Sequence, residues 1–362
     1  MKIIFLSPVG YFKGGAERSL FDLMANPDIK PVVIAPEDGP LLDKARELGF
    51  KTHVLSFDSI NTIHRPFSFM KGFAAFKDLI KAARALKRIA KEENASVVHS
   101  NGLKAHMINI VSSRLGGAKS VLHIRDIPYT KAEILVWKIM HFLCHKMVLV
   151  SHATWPGKAL PRKAIVVHNG TPLIDEARPA PSSDTLTIGF IGRIHPAKGL
   201  HLLIDWIAQA GLDIRLSVRG TYSEDAPDYE GEINQQIAEH GLQDKVEFTG
   251  FIDNATALYE GLDIVCVPSK TPDPLPRSVM ESMARGIPVL GYPAGGIFEM
   301  IEDGTTGFLV KDTESFKRAL EEISGDTARL NAMTIAARDK ITREFTIDGL
   351  HREMSGIYGE LL

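Results

Sequence analysis

The chain has 362 residues, with 42 Lys and Arg against 44 Asp and Glu, a formal net charge of −2. This length predicts two domains with room for two substantial cores. A composition of 44% apolar and 24% charged residues excludes disorder as the main character of the protein. The near-neutral balance argues against a dedicated nucleic-acid binder. The cysteines, Cys144 and Cys266, supply neither a disulfide framework nor a metal-ligand spacing, which fits a reducing, cytosolic compartment.

Residues Met1 to Pro8 open on an apolar run too short for a secretory signal, so the chain is expected to begin with a strand of the folded body. No apolar run approaches the roughly 18 residues a membrane-spanning helix needs. Short apolar runs then alternate with segments of helical period, the mark of a parallel sheet covered on both faces. Strands are expected at 2–6, 31–35, 51–55, 96–99, 119–123, 147–151 and 164–167, and helices at 16–25, 39–48, 67–92, 103–115 and 131–145. The turn Asn169-Gly170-Thr171-Pro172 and the polar, proline-rich stretch 177–183 read as a linker. The rhythm restarts with a strand at 186–192, a helix from about Lys198, strands at 213–219, 245–249, 263–267 and 287–291, and helical segments at 313–324 and 326–361 that break near Phe345-Thr346. The expected class is α/β. Two doubly wound, Rossmann-like domains, 1–175 and 176–345, would face each other across a cleft, and a closing helix, 346–362, would pack back on the first.

In such sheets ligands bind beyond the carboxyl ends of the strands, so the loops after strands are where chemistry is sought. The first carries Gly14-Gly15-Ala16-Glu17, where glycines let backbone approach a ligand at a helix start. The order G-x-G-x-x-G of a dinucleotide fingerprint is absent there, which disfavours a dehydrogenase. After strand 186–192, Gly192-Arg193 is followed by Lys198-Gly199. A forked guanidinium, a compact ammonium and a helix terminus converge there, an arrangement suited to a diphosphate. Asp273-Pro274-Leu275-Pro276-Arg277-Ser278-Val279-Met280-Glu281 places one carboxylate in a loop and a second one turn into a helix. Carboxylates accept hydrogen bonds from hydroxyls, so this pair suits a sugar and a ribose. Ala294-Gly295-Gly296-Ile297-Phe298-Glu299 adds another glycine pair at a ligand-facing loop.

Taken in order, these segments resemble the retaining glycosyltransferases of family 4, of the GT-B fold. The resemblance covers nearly the whole chain and also includes Asn169-Gly170, Val246-Glu247-Phe248-Thr249-Gly250, Gly286-Ile287-Pro288-Val289 and Asp303 through Val310. It implies that the second domain binds a nucleoside-diphosphate sugar as donor substrate, with UDP favoured over GDP. Gly14, Gly15 and Gly192 would lie against it. Arg193 and Lys198 would hold the diphosphate, Glu281 the ribose, Phe248 and Thr249 would flank the base, and Leu275 and Asp273 would meet the donor. The family usually has Glu where this chain has Asp273, and often Glu-Pro-Phe-Gly where this chain ends its loop in Pro276, which has no N–H to offer a phosphate.

In the first domain two readings stand for His123 at the end of strand 119–123. By resemblance it approaches the donor sugar across the cleft; by its position it is a core histidine satisfied by backbone. His99 is read as structural or acceptor-facing, with Glu17 and Asp126 as further acceptor contacts and His106 given less weight. The expected reaction is transfer with retention, with no dedicated nucleophile, no metal site and no cofactor. Asp225 and Asp228 are read as solvated.

Residues 64–91 carry a separate signal. Phe69, Phe73, Phe76, Ile80 and Ala83 recur at helical spacing among Arg65, Lys71, Lys77, Lys81, Arg84, Lys87, Arg88 and Lys91, with Asp78 opposed. One reading is an amphipathic helix on anionic lipid; the other is a helix packed on the sheet with a solvated basic face. The lipid reading suits a saccharide or lipid-linked saccharide acceptor of bacterial surface polysaccharide or lipopolysaccharide synthesis, made by a peripheral protein at the inner face of the membrane. The competing function classes are a GT-B nucleotide-sugar epimerase and a non-catalytic sugar-nucleotide sensor.

Overall fold

The structure is a computed structural model that describes residues 1–12, 14–57, 69–174 and 186–362. The stretch 177–183, with Arg65 and Phe67 of the basic segment, lies outside them, as do the side chains of Phe69, Lys71 and Phe73. The chain divides into one unit of Met1–Gly170 with Ile347–Leu362 and a second of Thr171–Thr346.

The first unit runs β1 (Lys2–Leu6), α1 (Gly15–Met24), β2 (Lys30–Ala35), α2 (Pro40–Glu47), β3 (Lys51–Val54), α3 (Phe69–Glu92), β4 (Val97–Asn101), α4 (Leu103–Arg114), β5 (Lys119–Ile124), α5 (Lys131–Leu143), β6 (Lys146–Leu149) and β7 (Ala164–Val166). All strands are parallel, in the order β3-β2-β1-β4-β5-β6-β7. Ile3, Ile4, Phe5 and Leu6 of the central strand are all buried, as a parallel sheet covered on both faces requires. Alternate residues divide between the covers. Ile3 and Phe5 join a core with Leu20, Leu23 and Met24 of α1 and Leu41 and Leu42 of α2, whereas Ile4 and Leu6 join one with Leu79 and Leu86 of α3 and Ala105 and Ile108 of α4. Successive right-handed crossovers, running outward in opposite directions from β1, produce this division.

The second unit runs β8 (Leu186–Ile191), a single turn of 3₁₀ helix at Pro196–Lys198, α6 (Leu200–Ala210), β9 (Ile214–Arg219), α7 (Tyr229–Glu239), β10 (Val246–Gly250), β11 (Ile264–Val267), α8 (Arg277–Ala284), β12 (Val289–Gly291), α9 (Ile297–Met300), β13 (Phe308–Leu309), α10 (Thr313–Gly325) and α11 (Thr327–Glu344). Its parallel sheet has the order β10-β9-β8-β11-β12-β13. Trp206 of α6 packs on Phe316 of α10, ring centroids 5.8 Å apart. The closing helix, α12 (Ile347–Gly359), belongs to the first unit. It is strapped to α1 by His351 Nε2 against the Asp22 carbonyl at 2.7 Å, and to the chain just after α1 by Asn26 Nδ2, which donates to the His351 carbonyl and Ser355 Oγ at 3.0 Å each.

Two local features differ from the sequence reading, and a third decides between its alternatives. The helix expected from Lys198 begins at Leu200, after the 3₁₀ turn and Gly199 at φ +76°. The short β13 and α9 were not expected, since two and four residues carry no detectable period. The apolar stripe of α3 is spent on the core: Leu79, Ala83, Leu86 and Ala90 are buried, Ile80 is partly buried and Phe76 is 60% exposed. The described part of this helix therefore packs on the sheet and turns Lys77, Lys81, Arg84, Lys87, Arg88 and Lys91 outward.

Candidate functional site

A doubly wound sheet opens a crevice where consecutive crossovers leave in opposite directions. In the second unit that point lies between β8 and β11, and the loops following those two strands carry the expected charges. Lys198, on the 3₁₀ turn after β8, forms an ion pair with Asp273 Oδ2 in the loop after β11, so the pair bridges the switch point. Asp273 is held from its other side as well. Its Oδ1 accepts from the Leu275 amide at 3.2 Å, and its carbonyl accepts from the Gly296 amide at 2.8 Å. Leu275 itself is buried.

Close backbone approach explains the glycines here. Gly199 has φ +76° and a methyl on it would fall on the Pro268 carbonyl. At Gly295 and Gly296 a methyl would fall on the carbonyls of Asp273 and Pro274. The loops after β8, β11 and β12 are thereby locked together by main chain before any ligand arrives.

Arg193, next to Gly192, is 59% exposed; its Nη1 lies 3.3 Å from Ser223 Oγ and 3.7 Å from Asp225 Oδ2. Asp225 also accepts from Ser223 Oγ and is 63% exposed, as its solvated reading expected. His195 begins the 3₁₀ turn with its Nδ1 accepting from the Ala197 amide at 3.1 Å.

Glu281 stands on the second turn of α8 and is 12% exposed. Tyr259 Oη donates to its Oε2 at 2.8 Å, and Arg277 Nε donates to its Oε1 at 2.9 Å. Burial, with the adjacent Glu281 charge next, pushes the Tyr259 phenol well above its ordinary range and keeps it a donor. Arg285 lies 4.3 Å over the Tyr259 ring and donates to the Glu281 carbonyl. The carboxylate is fixed by one donor on each oxygen and keeps lone pairs for two hydroxyls. Phe248 and Thr249 lie on the edge strand β10; Phe248 is 38% exposed and stacks on Tyr222.

The first unit has its switch point between β1 and β4. Gly14 precedes α1 there and Gly15 begins it, but the Gly14 amide donates to Glu17 Oε2 at 2.8 Å. This amide is therefore taken within the chain, and one oxygen of Glu17 is committed to its own helix start. Partial burial pushes the Glu17 carboxyl above its usual range. Asp126 is exposed beyond β5.

Of the two readings of His99, structural or acceptor-facing, the contacts favour the structural one and speak against an acceptor contact. The ring is fully buried and both nitrogens are taken, Nδ1 by Tyr358 Oη at 2.8 Å and Nε2 by His123 Nδ1 at 3.1 Å. Arg125 Nη2 also approaches His123 Nδ1 at 3.4 Å. A guanidinium only donates, so His123 Nδ1 accepts and its proton sits on Nε2. His99 Nε2 then donates to His123, and Tyr358 donates to His99. Nε2 of His123, buried, has no hydrogen-bond partner among the described residues. Arg125 donates further to Asn169 Oδ1 at 2.8 Å and Asn101 Oδ1 at 3.4 Å, joining the ends of β4 and β5 to the chain after β7.

Burial, and next the Arg125 charge, hold His99 and His123 well below the ordinary histidine value, and burial alone drives His106 down to about 3. All three are neutral in the fold at pH 7. The unfolded chain takes up protons below about 6.5 while the fold does not, so stability is lost as pH falls from there toward 3, by up to about 1.4 kcal/mol per unit per histidine. Urea unfolding across that range is expected to show a slope that becomes shallower in His106→Gln.

Residues 174–340 match the family model described as glycosyl transferases group 1. The matched span lies within the second unit, Thr171–Thr346. The putative colanic acid biosynthesis glycosyltransferase WcaL of Salmonella typhimurium is 28% identical over 180 residues, covering 46% of this chain and 43% of that one. The 2-deoxystreptamine glucosyltransferase of Streptomyces kanamyceticus is 30% identical over 167 residues, covering 44% and 42%. The chain therefore spans less than half the length of these curated relatives. The crystal structure of Anabaena Alr3699/HepE in complex with UDP matches with a TM-score of 0.83 at 23% identity, covering 99% of this chain and 100% of that one. That likeness shows the GT-B fold for both units.

Within the second unit the structure joins Lys198 to Asp273 and builds a cradle around Glu281 that the sequence reading did not contain. Tyr259 and Arg285 had no motif to announce them, while Arg277 stood within the Asp273–Glu281 segment without an assigned role. In the first unit Tyr358 was equally hidden, 259 positions from the histidine it touches. Arg125, two residues after His123, could have been found as the cation that follows a buried strand.

Proposed function

We propose that the protein is a retaining glycosyltransferase that moves a sugar from a nucleoside-diphosphate sugar, a UDP-sugar first, to a saccharide or lipid-linked saccharide acceptor. The observation that carries this reading is the Lys198–Asp273 pair across the switch point of the second unit, with the prearranged Glu281 carboxylate on the helix that follows. The Anabaena neighbour is described with bound UDP, which supports the donor class. Colanic acid and lipopolysaccharide core glycosyltransferases among the relatives support a surface polysaccharide as product class.

In this reading Arg193 and Lys198 neutralise the charge that grows on the departing diphosphate, the largest electrostatic demand of the reaction. Asp273, released from Lys198 as the phosphate takes its place, is free to accept from a sugar hydroxyl. Glu281 accepts from the ribose hydroxyls. Phosphate oxygen takes the acceptor proton on the face the leaving group occupies, so the anomeric configuration is kept. Glu17 and Asp126 of the first unit are placed against the acceptor, and His123 offers its Nε2–H to a ligand oxygen. We propose no resident metal or cofactor: transfer persists in EDTA, and an activity that stops there and returns with manganese overturns that part. The outward cations of α3 hold the protein at an anionic membrane surface from the cytoplasmic side.

A thermal-shift screen against UDP-, GDP- and ADP-sugars tests the reading, because a ligand that binds only the fold raises its melting temperature. UDP-sugars are expected to give the largest rise. A screen with no shift, or free epimerised donor formed without acceptor, overturns it. Glu281→Gln is expected to weaken UDP affinity about 10- to 150-fold, the equivalent of about 1.5–3 kcal/mol for a hydrogen bond to a charged group; titration calorimetry reads this directly.

A further inference from the structure

We propose that α5 is the apolar anchor by which the first unit inserts into an anionic bilayer surface, complementing the cations of α3. This rests on the membrane reading above and locates what that reading lacks. Stable attachment to a membrane face takes apolar insertion as well as charge. The described part of α3 offers cations, but its apolar stripe is buried in the core.

The missing apolar face is on α5. Leu135, Ile139 and Phe142 recur at positions i, i+4 and i+7 and therefore share one face of the helix. They are 58%, 49% and 73% exposed. The opposite side is already apolar and packed, with Trp137 and Met140 buried against the sheet. Large apolar side chains this exposed in one row mark a docking surface.

The charges around the row select the partner. Lys131 and Lys138 are exposed on the same face. Glu133, the acid of this helix, points its carboxylate at the Tyr129 and Thr130 amides, at 2.8 and 2.9 Å. At the other end Arg114 donates to the Leu143 carbonyl, Lys163 donates to the carbonyls of Phe142 and Cys144, and Arg162 is exposed beside it. α3, α4 and α5 lie side by side on one face of the sheet, with Lys87 of α3 donating to the Leu115 carbonyl at the end of α4. The α5 row is thus apolar in its middle and cationic along its borders. A second copy of this chain would set Lys131 and Lys138 against like charges, whereas anionic headgroups neutralise them while the acyl region takes the apolar row.

Co-sedimentation of the full chain with vesicles containing or lacking an anionic phospholipid tests this. Wild-type protein is expected to bind the anionic vesicles and to release in high salt. Leu135→Ser/Ile139→Ser/Phe142→Ser, whose positions are exposed and whose folding is checked by its melting temperature, is expected to lower the bound fraction at least about fivefold. Phe142→Trp is expected to show emission quenched by bromine-labelled acyl chains. Binding that the triple serine variant retains while Lys81→Glu/Arg84→Glu loses it overturns the anchor and spares the membrane reading. No wild-type binding overturns both. A dimer in solution that the serine variant dissolves assigns the row to a second copy and overturns the proposal.

Discussion

Lys198→Ala is expected to lower transfer from a UDP-sugar about 10- to 150-fold and to destabilise the fold as well. The first effect is the loss of a charge-assisted hydrogen bond to the diphosphate, worth about 1.5–3 kcal/mol. The second arises because Asp273, 13% exposed, is left without its cation. Adding Asp273→Asn to that variant removes the stranded charge, so the melting temperature recovers while transfer does not. Arg193→Ala separates the two effects from the other side. Its partners Ser223 and Asp225 are reached at 3.3 and 3.7 Å from a side chain 59% exposed, a setting in which ion pairs contribute little to stability. Transfer is expected to fall by at least roughly tenfold with a melting temperature close to wild type. Unaltered turnover in both variants removes these cations from the mechanism.

Gly199→Ala is expected to cost about 2–5 kcal/mol of stability in denaturant unfolding. The left-handed backbone at φ +76° costs a side-chain-bearing residue about 1–2 kcal/mol, and overpacking of the methyl on the Pro268 carbonyl adds about 1–3 more. Gly211 has nearly the same backbone angle, φ +70°, with nothing near its would-be methyl. Gly211→Ala is therefore expected to show only the conformational part, about 1–2 kcal/mol. Equal losses in the two variants would show that close approach between the loops after β8 and β11 is not what requires glycine at 199. Because Gly199 immediately follows Lys198, the displaced loop is also expected to lower nucleotide affinity in the first variant and not in the second.

The architecture was legible because its signal is local. Strands buried on both faces must be short apolar runs, and the covering helices must repeat their apolar residues at helical spacing. The break at Phe345-Thr346 was visible for the same reason, and the helices there end at Glu344 and resume at Ile347. The charges of the nucleotide loops were legible too, since Arg193, Lys198, Asp273 and Glu281 stand just after strands or on the helices that follow them.

Contacts made at long range were not legible. Nothing in the local pattern distinguishes His99 open to a ligand from His99 held between Tyr358 and His123, because the deciding partner lies on the closing helix. Nor does helical period tell an apolar stripe that meets the core from one that meets solvent. The α3 stripe, for which both a membrane surface and a packed helix stood open, is core, and the α5 row, expected only as one of the covering helices, is exposed.

The order of residues by itself determined two α/β units, their strand rhythm and the cationic and acidic groups of the nucleotide loops. Tertiary structure alone decided which of those groups meet, which histidine keeps a free N–H, and which apolar face is left to solvent. The physical reason is that periodicity and loop position are properties of neighbours along the chain, while ion pairing, tautomer choice and burial depend on atoms that only the fold brings within a few ångströms.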